Sequence, residues 1–212
     1  LFDILESSGQ LLRIDPVVKP TMYRCATVTM AEIEALRSIK NVVRMGHVTE
    51  ITNSEITLDE GSIPTTANVL HIDCTADALA TRPSVPVFSG NQLTLQTVRT
   101  CQQVFSAAFI AFVEATIEEE DEKNRLCTPV PHPDSDIDWL RTTLGTMQNG
   151  GIWASVPKLQ QWLMKSRLDP FTQPPKEGES TPGFAENVGD MLKGAIRVNE
   201  LYTQWLGEQE QA

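Results

Sequence analysis

Residues Gly46–Ala76 read GHVTEITNSEITLDEGSIPTTANVLHIDCTA. Apolar and polar side chains alternate through this run, and that period of two suits paired strands better than a helix. Val42–Thr52 and Glu55–Leu58 are expected as strands around a tight turn at Asn53-Ser54. A second reversal falls at Asp59-Glu60-Gly61. The run then enters a more apolar segment, Val69–Cys74, expected as a further strand that stops at Asp73-Cys74-Thr75-Ala76. Neither G-x-G-x-x-G nor G-x-x-x-x-G-K-[ST] occurs anywhere in the 212 residues, so no phosphate-cradling loop of those two kinds is encoded here.

Composition narrows the partners. Lys and Arg total 17 against 28 Asp and Glu, a net charge of -11. Such a surface repels a phosphate backbone, so no nucleic-acid partner is expected. The longest mostly apolar run, Val104–Val113, falls far short of the roughly 20 residues that span a bilayer, so no membrane span is expected. Cys25, Cys74, Cys101 and Cys127 form no C-x-x-C pair. Their scatter through a chain of this size suits reduced thiols and a cytoplasmic location.

Around the alternating run, the chain reads as mixed α and β. Phe2–Ser8 is expected as a helix end stopped by Gly9, and Leu11–Ile14 as a short strand. Thr29-Met30-Ala31-Glu32 is a capping box opening a helix with Ile33, Leu36 and Ile39 on one face. Gln92–Val98 is expected as a strand. Thr100-Cys101-Gln102-Gln103 is a second capping-box pattern, opening a helix Cys101–Ile117 that is apolar on nearly every side. Glu118–Lys123 reads as its solvated exit. Ser135-x-x-Asp138 opens another helix, with Asn149-Gly150-Gly151 as its stop and Ser155 capping the next. Pro170–Gly183 is rich in Pro, Gly and charge, as linkers are. Phe184–Trp205 carries a 4-3 apolar spacing like a coiled-coil seam.

The excursion V-x-x-I…V-x-L-x-D/E-G-x-x-I is carried here by Val48, Ile51, Ile56, Leu58, Gly61 and Ile63. It resembles the second half of the two-dinucleotide flavoproteins, which include flavin-containing monooxygenases and pyridine-nucleotide disulfide reductases. Thr75 matches the Thr of that group's A-T-G-like turn; Cys74 and Ala76 replace its Ala and Gly. LLRIDP, VRTCQ and CTPVPHPDSDIDWL are similar to a less defined bacterial-type subgroup. The resemblance covers roughly Leu1–Leu168.

It implies an α/β fold: the C-terminal part of a FAD/NAD(P)-binding Rossmann-type fold, with an antiparallel hairpin and a helical C-terminal appendix. Residues 1–68 would end the NAD(P)-binding domain, 69–125 would return into the FAD-binding domain with its last strand and helix, and 126–212 would form the appendix. The chain starts at Leu1 without an initiator Met, and the expectation is a C-terminal portion whose N-terminal half lies elsewhere on the same polypeptide. The activity implied is hydride transfer from nicotinamide to flavin, with no activity in the isolated portion. The substrate stays unidentified. Open sheet edges would favour self-association. The rival reading is a non-enzymatic helical interaction or regulatory module, favoured by the seam at Phe184–Trp205.

In this resemblance the last helix aims its N-terminus at the flavin, where free amides and the helix dipole suit an electron-rich ligand. The cofactor-binding candidates are therefore Thr75 and Ala76 at the turn, and Gln96, Thr97, Arg99 and Thr100 before the helix. Arg99 has an equal alternative as an anchor for a carboxylate. Cys101, at a helix start, reads as a redox thiol or as a small buried residue. His71 and Asp73 read as a base with its orienter, or as a satisfied histidine. A metal site from His71, Cys74, Cys127 and His132 has no ligand spacing behind it.

Overall fold

The computed structural model describes residues 2–9, 11–24, 28–75, 82–169, 197 and 199–208. It is a mixed α and β protein that divides into two compact units. Leu1–Lys19 with Thr27–Ala80 form unit 1, and Pro20–Ala26 with Thr81–Ala212 form unit 2.

Unit 1 is built around the alternating run. Strands β1 (Val48–Ile51), β2 (Glu55–Leu58) and β3 (Gly61–Pro64) form an antiparallel meander in the order β1-β2-β3. Ile51 pairs with Ile56, and Ile56 with Ile63. The first turn closes through Thr52, whose N–H donates to the Glu55 carbonyl at 2.8 Å. Its hydroxyl accepts the amides of Ser54 and Glu55. A second device pins the meander's entry. The Asp59 carboxylate accepts from the His47 amide at 2.7 Å and sits 3.0 Å from His47 Nδ1. These bonds hold the Asp59 carboxyl below its usual range. Gly46, with φ +78°, is required beside them: a Cβ there would lie 2.5 Å from Asp59 Oδ2.

Helix α1 (Phe2–Ser7) ends at Gly9, with φ +77°, as the sequence suggests. Helix α2 (Met30–Arg37) opens with the complete Thr29–Glu32 capping box. Three expectations in this unit need correction. Leu11–Ile14 is not a strand. The first strand begins at Val48, not Val42. Val69–Thr75 carries no strand at all, and its residues are exposed. Strand formation needs a partner edge, and none of the described residues supplies one to this stretch. The α2 stripe is also thinner than its spacing implies: Ile33 is buried, whereas Leu36 and Ile39 are exposed.

Unit 2 holds the main core. A short hairpin, β4 (Phe88–Ser89) and β5 (Gln92–Leu93), precedes helices α3 (Gln103–Thr116), α4 (Glu120–Leu126), α5 (Asp136–Ala154) and α6 (Pro157–Lys165); residues 199–208 are helical. Gln92–Val98 is therefore a two-residue strand followed by irregular chain, not a central strand. Phe105, Phe109, Ile110 and Val113 of α3 pack with Trp153, Leu159, Leu163, Leu126, Val87 and Phe88. Phe109 and Trp153 lie 4.3 Å apart between ring centres. Burying several aromatic rings in one cluster is the dominant stabilising term here, at roughly 1.5–3 kcal/mol for each large apolar side chain.

Helix boundaries in unit 2 depart from the sequence reading for physical reasons. The acidic run is not merely a solvated exit but the first turn of α4, where Glu120, Asp121 and Glu122 complement the helix dipole. α5 starts at the Ser135–Asp138 capping box as expected. It then runs through Asn149-Gly150-Gly151 to Ala154, because Asn149 is buried and bonded. Ser155 ends α5, and Val156 with Pro157 opens α6. The seam at Phe184–Trp205 lies mostly outside the described residues. No helix among those described is long and apolar enough to cross a membrane.

Candidate functional site

The segment entering α3 gathers four of the sequence candidates, Gln96, Thr97, Arg99 and Thr100, and each is engaged inside unit 2. The Gln96 side-chain amide acts as a strand surrogate: Nε2 donates to the Val85 carbonyl at 2.6 Å and Oε1 accepts the Val85 amide at 3.1 Å. The Thr97 hydroxyl donates to the Val130 carbonyl at 2.5 Å, while the Val130 amide donates to the Thr97 carbonyl. The Thr100 amide donates to the Thr146 hydroxyl at 3.0 Å.

Arg99 is the centre of the cluster. It is only 7% exposed, and its Nη1 lies 2.8 Å from Asp169 Oδ1, with Asp169 fully buried. The guanidinium carbon stands 4.0 Å above the Phe105 ring centre and 5.0 Å from that of Trp153. Burial pushes the Arg99 guanidinium below its ordinary value, and the Asp169 carboxylate opposes that shift. Removing one partner of a buried pair typically costs 3–5 kcal/mol, because the remaining charge is left without compensation. Of the two sequence readings of Arg99, the geometry matches the carboxylate anchor.

The turn after Arg99 also differs from expectation. The Thr100–Gln103 capping box does not form: α3 begins at Gln103, and its N-cap Gln102 makes no side-chain capping bond. Cys101 has φ +48°, the left-handed region that a non-glycine residue adopts at a cost. It is disulfide-bonded, which corrects the expectation of reduced thiols throughout and removes Cys101 as a free redox thiol in this state. Cys74 is an exposed free thiol. Cys127 is a buried one, its thiol pushed up to about 12 by burial and so inert as a nucleophile.

The candidates in unit 1 do not form a site of their own. Thr75 donates its amide and hydroxyl to Asp73 Oδ1, at 2.8 and 2.6 Å. Ala76 lies outside the described residues. His71 Nε2 lies 3.3 Å from the Thr65 hydroxyl, and Asp73 bonds to Thr75. The supposed base-and-orienter pair is therefore engaged elsewhere and exposed. A solvent-open hollow of about 430 Å³ lies between the β1–β2 turn and Thr66–His71. No cluster of three metal-ligating side chains occurs among the described residues.

Sequence reasoning missed the roles of Asp169, Asn149 and Thr146, whereas Trp153 lies in the core as its place on an apolar helical face suggests. Asn149 Nδ2 donates to the carbonyls of Val98 and Thr128, each at 2.8 Å. Trp153 Nε1 donates to the Leu126 carbonyl at 2.8 Å.

With that geometry in view, the comparisons with known proteins are spare. Uncharacterized proteins from two strains of Mycobacterium tuberculosis and one of Mycobacterium bovis are each 56% identical to this chain over 169 residues. The match takes in 80% of this chain but 32% of each relative, so the chain spans about a third of the length of the curated relatives it matches. No family model matches, and no solved structure matches.

Proposed function

We propose that this chain is the C-terminal portion of an FAD- and NAD(P)-dependent oxidoreductase that moves hydride from a nicotinamide to a flavin. The observation that supports the reading is the antiparallel three-stranded meander Val48–Pro64, an excursion of the kind the resemblance expects. The relatives' greater length leaves room for the phosphate-binding loops that this chain lacks. FAD would supply the electron chemistry.

The side chains at 96, 97 and 99 do not fit direct contact with that cofactor, because their polar atoms are already bonded within unit 2. Their role in this reading is to position α3. The α3 N-terminus itself, without a side-chain cap, is the feature that suits an electron-rich group. Arg99 and Asp169 would fix the direction of that helix from inside the core.

The test is purification of the full-length M. tuberculosis relative. The reading expects the two-banded visible absorption of oxidised flavin, bleached by NADH or NADPH. A colourless protein that takes up no FAD on reconstitution would remove it. The helical interaction module remains the second reading, favoured by the self-contained helical core of unit 2 and by exposed Leu201 and Trp205 on the terminal helix.

A further inference from the structure

We draw no further inference here: the strongest candidate, a thiol-reversible switch at the disulfide of Cys101 in the turn entering α3, rests on a partner cysteine that lies outside the described residues, so nothing in the structure shows what reduction would release.

Discussion

Unit 2 closes around its own core, whereas unit 1 leaves most of its apolar residues in water. In unit 2 the rings of Phe105, Phe109 and Trp153 are buried together, and a charged pair is sealed among them. In unit 1 the buried hydrophobic residues among those described are Leu5, Ile33 and Leu58, while Val42, Val43, Val48, Ile51, Leu70 and Ile72 are exposed. Both units carry well-formed local structure, so local structure is not what separates them. The difference is whether the apolar side chains of each find partners within this chain. A helical core finds them at short range, but a strand needs an edge that can come from far away in sequence.

The largest effect that would break this contrast is at Trp153. Trp153→Ala removes a fully buried ring and its bond to the Leu126 carbonyl. It should cost about 4 kcal/mol, read as an earlier denaturant midpoint. If the midpoint barely moves, unit 2 does not depend on this core. The next effect is at the sealed pair. Asp169→Ala should cost about 3 kcal/mol by stranding Arg99. The double variant Arg99→Met/Asp169→Leu should recover most of that loss, because an apolar pair needs no compensation. A double variant as poor as the single would make the charge, not its pairing, the stabilising feature.

Smaller changes sharpen the picture. Asn149→Ala leaves the carbonyls of Val98 and Thr128 without their donor and should cost about 2 kcal/mol in thermal or denaturant unfolding. Ser135→Ala should cost about 1 kcal/mol through the lost cap, with a defined pH dependence. Burial raises the Asp138 carboxyl, but its bonds to Ser135 and to the Asp134 backbone, with the Arg141 charge, together hold it below the ordinary value of 3.8. A lowered folded pKa contributes stability that is complete above that value and lost as pH falls through the folded pKa. The deficit of Ser135→Ala should therefore shrink in strong acid, and a constant deficit across acid titration would argue against the carboxylate's part. The smallest effect is at Leu70→Asp, expected within about 0.5 kcal/mol of the parent because the side chain is already exposed.

What the sequence made legible was local. The Thr29–Glu32 and Ser135–Asp138 boxes, the Gly9 stop and the meander turns each depend on residues a few positions apart, and each is present. The failures were non-local. Val69–Cys74 has the composition of a strand, but no described residue pairs with it. Asn149-Gly150-Gly151 has the composition of a stop, yet bonds from Asn149 to residues 51 and 21 positions away carry the helix onward. Arg99 was singled out correctly as unusual, and its partner lies 70 residues downstream, beyond any spacing rule.

The contrast between the units is tested most directly by hydrogen exchange across the intact isolated chain. The account predicts two classes. Amides of Phe105–Val113 in α3 should exchange only when the core opens globally, with protection that falls in step with added denaturant. Amides of Leu70–Asp73 should exchange close to the rate of an unstructured peptide under the same conditions. One uniform class, with 70–73 as protected as α3, would contradict the claim that unit 2 buries its apolar residues in a core of its own while Leu70–Asp73 is left exposed.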